Sequence, residues 1–519
     1  MTFPRVTAAD WRAQVEKELA GASFEKTLVF KTPEGLSIAP LYTEAPRTHS
    51  IGAGAPFKIV MHGSAEDLDE GAEGLWLDAR ALAALQSRDA FFVIDGALPV
   101  GARADLRFAL VGQPESAKSI SEGYPNGVAA MVSTLADHEA GADSADELAI
   151  ALSTGVQYLE TMLGGGLSPT AAGKQLAVQI SVGRDTFAEL CKVRALRVCW
   201  QKLLAGAKAE NGRTLIHAVC STRTLTQRDP WVNMLRGTTQ VFAAVLGGAD
   251  LVTPMPFDRA LTEQSALAHR IARNTGLVLR EESSLGRVSD PAGGSYYLET
   301  FSDELAREAW KRFQAIEKEG GIAAVRKSGW LQARLDASWK ERLELVAKRK
   351  APVLGVSEFA NLDEVLPSAP GAIKARRDSE AFEALRDRFA LSPTLFPPRG
   401  ASSPSPAGER EAVALIALGE FATSRARVGF ASGFFAAGGL RSRETTSDEK
   451  ASVACLCGTD ERYAAEAVDR VKALKAAGCK RVYLAGRPGA LEAPLKEAGI
   501  DGFIFMGCDV VATLNEVVS

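Results

Sequence analysis

The sequence predicts an α/β protein in two parts: a closed (β/α)8 barrel and, after it, a small open doubly wound domain. Three observations carry that expectation. Short apolar runs alternate with long amphipathic stretches from about Pro56 onward, a Pro- and Ser-rich segment interrupts the pattern, and the alternation restarts beyond it. Strand and helix in alternation imply parallel pairing through right-handed crossovers, and about eight strands over roughly 300 residues suit a closed barrel of TIM type. At 519 residues the chain also exceeds one compact core.

In chain order, residues 1–45 read as an arm. Trp11 to Leu19 has helical periodicity, and Leu28 to Leu36 is a strand broken by the turn at Pro33-Glu34-Gly35. Residues 46–365 are assigned to the barrel. Its strands are Phe57 to Met61, Gly74 to Leu77, Phe91 to Ile94, Leu106 to Val111, Gln175 to Ile180, Thr214 to Val219 and Leu251 to Thr253. Its helices include Ala145 to Met162, Thr186 to Leu204, Trp231 to Leu246 and Thr262 to Leu279. Helical runs at Asp303 to Glu319 and Gly321 to Arg349 close the region. The early units are short of helix, so an irregular barrel is expected there.

Residues 366–410 are assigned to a linker, because the prolines between Leu391 and Pro406 lack a donor and fix their own φ. Residues 411–519 restart with strands Ala412 to Leu418, Val453 to Cys457, Arg481 to Leu484 and Gly502 to Met506. Helices near Arg425 to Ala436, Tyr463 to Ala477, Leu491 to Ala498 and Val510 to Val518 alternate with them. This is the pattern of a flavodoxin-like domain, whose ligand crevice lies at the carboxyl ends of the strands.

Composition narrows the function classes. An apolar share of 46% and a charged share of 24% describe a folded protein. A net charge of −4 with interleaved lysines and arginines leaves no basic stripe, so no nucleic-acid partner is expected. No apolar run reaches the roughly 20 residues that span a bilayer, and Asp10, Arg12, Glu16, Lys17 and Glu18 crowd the first helix, so no membrane contact and a cytoplasmic location are expected. The seven cysteines are odd in number and set among apolar neighbours, which reads as buried free thiols.

Candidate chemistry is sparse. Topology directs a ligand to the loop Gly419 to Ala426, yet that loop has no Gly-rich run, histidine or aspartate. His49, His62, His138, His217 and His269 never fall three to five residues apart, so no zinc pair arises, and no Gly-x-Ser-x-Gly elbow is present. His217 on a barrel strand and His138 just past one are the two placed to face the barrel mouth. The charged stretches Arg270 to Asn274 and Arg280 to Glu282 read as helix-terminal ion pairing rather than an anion site.

Three ordered segments resemble the methylmalonyl-CoA mutase family: Arg228-Asp229-Pro230-Trp231-Val232-Asn233-Met234-Leu235-Arg236, Ala243 to Asp250, and Arg270-Ile271-Ala272-Arg273-Asn274-Thr275 continuing through Glu281-Glu282-Ser283 to Asp290-Pro291-Ala292-Gly293-Gly294-Ser295-Tyr296-Tyr297. Weaker similarity extends to Thr32-Pro33-Glu34-Gly35 and Pro40-Leu41-Tyr42. The resemblance implies adenosylcobalamin-dependent rearrangement of acyl-CoA skeletons, with a barrel followed by a cobalamin domain. The family's cobalamin motif, Asp-x-His-x-x-Gly, falls without gaps on Phe421, Thr423 and Ala426. The cobalt ligand and the aspartate behind it are therefore replaced, and the domain reads as a degenerate cobalamin-binding domain.

In the barrel, the tyrosine and histidine of the catalytic Tyr-His-x-x-Glu-Ala-Gly-Ala segment fall on Leu135 and Ala136, with His138 two places along. The aromatic and arginine-rich CoA-gripping stretch has only Arg47 to Gly54 in its place. The resemblance is thus to the small, non-catalytic chain of heterodimeric mutases: no catalytic, cofactor-binding or metal residue is assigned, and adenosylcobalamin belongs to a homologous catalytic large (alpha) subunit. That partner interconverts (R)-methylmalonyl-CoA and succinyl-CoA, and the arm from Trp11 to Tyr42 is expected to wrap it. The alternatives are a catalytic large chain that takes cobalamin from a separate subunit, and a regulatory binding protein of a mutase.

Overall fold

Leu176–Val182 is buried at every position, and within it only Gln179 and Ser181 are polar. A strand covered on both faces belongs inside a parallel sheet with helices outside it. In the computed structural model of the protein, which describes residues 6–45, 56–210, 212–369, 376–391, 413–445 and 451–518, eight such strands close into a barrel.

A short hairpin comes first, formed by β1 (Phe30–Lys31) and β2 (Ser37–Ile38). The barrel strands are β3 (Lys58–Met61), β4 (Gly74–Asp78), β5 (Phe91–Asp95), β6 (Arg107–Val111), β7 (Gly127–Ser133), β8 (Leu176–Val182), β9 (Leu215–Cys220) and β10 (Leu251–Thr253). All pairs are parallel, and β10 returns to β3 with Leu251 opposite Lys58. β7, Gly-Val-Ala-Ala-Met-Val-Ser, is the strand the apolar runs do not single out, because alanines dominate its middle. The irregular early half is present: the helices Ala65–Asp69 and Ala79–Leu85 are short, and the connection from β5 to β6 has no helix.

The main core lies between the barrel and its later helices. Helices Ser144–Gly164, Thr186–Gly206 and Tyr296–Lys318 pack on one another there, around Leu148, Leu152, Leu196, Trp200 and Phe301. Gly155 makes the close approach possible, since a Cβ at that position would lie 2.7 Å from the Trp200 ring. The arm is tied down at its turn, where Glu34 accepts the Ser144 N–H at 3.1 Å and its carbonyl accepts Arg312 at 3.1 Å. By contrast, the helix Ala8–Glu18 buries no residue of its own. The helical run expected from Gly321 to Arg349 is two helices, Gly321–Ser328 and Trp330–Ala347, separated by Gly329 at φ 79°.

Two compact units emerge. One comprises residues 1–223, 234–257 and 264–339, the other 224–233, 258–263 and 340–519. The second contains a five-stranded parallel sheet of β11 (Val413–Ala417), β12 (Ser442–Thr445), β13 (Val453–Cys457), β14 (Arg481–Ala485) and β15 (Gly502–Ile504), in the order β12-β11-β13-β14-β15. β12 goes unannounced by apolar pattern because it is an edge strand, half to fully exposed along Ser-Arg-Glu-Thr. The expected linker from Leu391 to Pro406 lies, past Leu391, outside the described residues, as do His49 and the stretch Arg47 to Gly54. Among the described residues, no helix is long and apolar enough to cross a membrane.

Candidate functional site

In a barrel of this type, ligands gather at the carboxyl ends of the strands. Strand parity decides which side chains line the interior: Val60, Val93, Ala109, Met131, Ala177 and Leu251 point inward and meet in one buried cluster, with Trp76, Phe91, Val111, Val128 and Leu215 partly buried against it. Val60, Val93, Ala109, Met131 and Ala177 are fully buried. The barrel axis is therefore filled by side chains.

Above that cluster sits a polar chain. Ser133 donates to Gln179 at 2.7 Å, the Gln179 amide donates to His217 Nδ1 at 3.0 Å, and His217 Nε2 donates to Thr253 at 2.7 Å. Gln179 stands opposite His217 in the β8–β9 register, so the contact follows directly from strand pairing. Burial drives the His217 pKa down to about 3, which keeps the ring neutral. Trp76 lies edge-on between His62, at 5.3 Å, and His217, at 5.9 Å, and donates from Nε1 to Asp95 at 2.9 Å.

Leu135 and Ala136, the positions on which the resembled Tyr-His segment falls, lie just beyond β7. Leu135 there is half-buried and Ala136 exposed, at the start of the short helix Leu135–Glu139. His138, on the same helix, turns into the protein instead. Its Nδ1 donates to Glu147 Oε2 at 3.2 Å and its Nε2 accepts from Ser221 Oγ at 2.7 Å. Glu147 also receives Lys192 at 2.9 Å, Thr134 Oγ1 at 2.9 Å and the Ser181 N–H at 2.8 Å. Burial opposes charge on Glu147, but Lys192 and His138 overcome it and hold the carboxyl far below the usual range. Burial and Arg223 together push His138 down to about 4 against the pull of Glu147. The geometry uses both ring nitrogens of a neutral imidazole, so His138 is a structural member.

In the five-stranded unit the crevice is set by Gly419, at φ 88°, after which the helix Phe421–Ala437 begins almost at once. Phe421, Thr423 and Ala426, on which the resembled cobalamin motif falls, are thus helical, and the Phe421 side chain lies outside the described residues. The Thr423 hydroxyl donates back to the Glu420 carbonyl at 2.8 Å, and Ala426 offers only a methyl group. Arg427 crosses the rim, donating to the Ala485 carbonyl at 2.5 Å and to Asp460 at 2.8 Å. The approach requires Gly486, where a Cβ would lie 1.9 Å from the guanidinium. Tyr463 Oη accepts the Gly458 N–H at 2.8 Å and donates to the Ala485 carbonyl at 2.8 Å, joining the ends of β13 and β14.

The remaining sequence candidates resolve simply. Arg273 bonds Asp67 at 2.8 Å and also pairs with Glu70, and Arg280 bonds Glu73 at 2.5 Å and Glu281 at 2.7 Å, the ion pairing read from the charge pattern, whereas Arg270 is exposed and makes no ion pair among the described residues. Six of the seven cysteines are buried and all are free. Among the described residues, no group of three or more His, Cys, Asp or Glu is placed to hold a metal ion. Sequence alone did not flag Glu147, Lys192, Ser221, Arg427 or Tyr463. Only Gln179 and Thr253 carried a usable signal, the inward parity they share with His217 on neighbouring strands.

Residues 115–388 match the methylmalonyl-CoA mutase family. The chain is 35% identical to the methylmalonyl-CoA mutase small subunit of Streptomyces virginiae over 99% of this chain and 96% of that one. It is 31% identical to the small subunit of Propionibacterium freudenreichii subsp. shermanii over 99% and 94%. The methylmalonyl-CoA mutase of Escherichia coli is 31% identical over a smaller part, 43% of this chain and 31% of that one.

Proposed function

Because this chain belongs to the methylmalonyl-CoA mutase family, we propose that it is the non-catalytic small subunit of a heterodimeric, adenosylcobalamin-dependent mutase in the cytoplasm. Its partner is a homologous large subunit that holds the cofactor and interconverts (R)-methylmalonyl-CoA and succinyl-CoA. In this reading residues 1–45 are the partner-contacting arm and 46–365 a barrel kept as scaffold. Of the expected linker 366–410, the helix Glu380–Leu391 is instead packed into the core of the second unit through Phe382, Leu385 and Phe389, and 411–519 is a flavodoxin-like domain that has lost cobalamin binding.

One observation carries the proposal. The residues where the cobalt ligand and its support belong are part of a formed helix, with the Thr423 hydroxyl bonded to the Glu420 carbonyl and Ala426 without a donor atom. Cobalt would find no imidazole there, and the Arg427 guanidinium spans the crevice rim beside it. These residues do not fit the cofactor. The barrel axis supports the same reading, since its inward side chains meet one another in one buried cluster. A scaffold of this kind contributes the interface that a homodimer would otherwise bury.

The test is to purify the chain alone and with its catalytic partner, then assay both with adenosylcobalamin and methylmalonyl-CoA. Turnover is expected only with the partner, at one-to-one stoichiometry. Turnover by the isolated chain would reject the proposal.

A further inference from the structure

Beside the packed mouth, the barrel rim carries an open cleft of about 560 Å³ between the turn Gly63-Ser64, just after β3, and the start of the helix Ala266–Glu281. Pro256, Ala266 and Leu267 give it an apolar side. Its base is internally matched. Buried Asp67 accepts hydrogen bonds from His269 Nε2 at 2.8 Å, Arg273 at 2.8 Å and the Ser64 N–H at 3.1 Å. The arrangement requires Gly63, where a Cβ would lie 2.0 Å from Asp67 Oδ2 and 3.2 Å from His269 Nε2.

Two groups of the cleft retain unspent hydrogen-bonding capacity. Arg270 is exposed, lines the cleft and makes no ion pair among the described residues. The His269 side chain is 32% exposed and donates Nε2–H to Asp67, so it meets a carboxylate through Nδ1–H as an imidazolium ion-paired to Asp67. A planar guanidinium beside an imidazole, facing a short apolar wall, suits one carboxylate with a small carbon skeleton. Exposed Glu66 on the same lining disfavours a second negative group. We propose that this cleft binds a short-chain monocarboxylic acid, its carboxylate on Arg270 and His269 and its carbons against Leu267 and Pro256.

The experiment is isothermal titration of the full chain with butyrate, and with butyramide as the uncharged isostere. Saturable butyrate binding is expected, weakened about tenfold or more in Arg270→Gln, which corresponds to one lost charge-assisted contact; butyramide should bind at least tenfold more weakly than butyrate. Thermal unfolding checks that Arg270→Gln remains folded, and His269→Asn provides a second reading if it does not. Absence of saturation, equal binding of butyramide, or affinity unchanged in the folded variant would overturn the assignment.

Discussion

His138 and His269 occupy the same barrel rim and each pairs with a buried carboxylate, Glu147 and Asp67, but they end in opposite states. His138 is 1% exposed with both ring nitrogens bonded, whereas the His269 side chain is 32% exposed and bonds through one nitrogen. The contrast separates structure from chemistry by unspent valence rather than by residue type. A histidine on a carboxylate is a reactive or binding group only where one nitrogen still faces something it can meet. At His138 that condition fails.

The contrast breaks most visibly at Lys192. Lys192→Met would leave Glu147 charged and buried without its cation, and the expected loss is about 3–5 kcal/mol, read as a lower urea midpoint. A midpoint within error of the parent would mean the network does not hold the rim. Met131→Ala, in the filled axis, is expected to cost about 2–5 kcal/mol by leaving a cavity. A smaller cost would mean the axis is looser than its packing indicates.

Acid sharpens the comparison further. His138 and His217 titrate in the folded protein at about 4 and about 3, below the ordinary value of 6.5, so the unfolded chain binds the extra protons. Their contribution is full above pH 6.5 and is lost as pH falls toward those lower values. Glu147, depressed in the fold, adds a further loss below the ordinary carboxylate range. His138→Gln should remove one of the two histidine contributions and flatten the urea midpoint between pH 6.5 and 4. An unchanged slope would contradict the buried neutral assignment. The smallest effect is expected at the open cleft, where Arg270→Gln should move stability by no more than about 0.5 kcal/mol.

How much was legible follows from distance along the chain. The barrel strands show in sequence because buried parallel strands are apolar on both faces, and the restart after the prolines marks the second sheet. β7 escaped through its alanines, β12 through its exposed polar edge, and the break at Gly329 through helical propensity on both sides. The departures from the resembled motifs at Phe421, Thr423, Leu135 and Ala136 can be read in the sequence because a motif is local. The rim networks were not: His138 meets Ser221 across 83 residues and Lys192 meets Glu147 across 45, while Asp67 and His269 are separated by 202. No periodicity encodes such pairs, since only closure of the barrel brings the strand ends together.

The most direct measurement is a visible-absorbance titration of adenosylcobalamin with the isolated chain. The spectrum of the free cofactor, with its own base still on cobalt, is expected at every protein concentration. A saturable shift in that spectrum, signalling a protein side chain in place of the base, would contradict it.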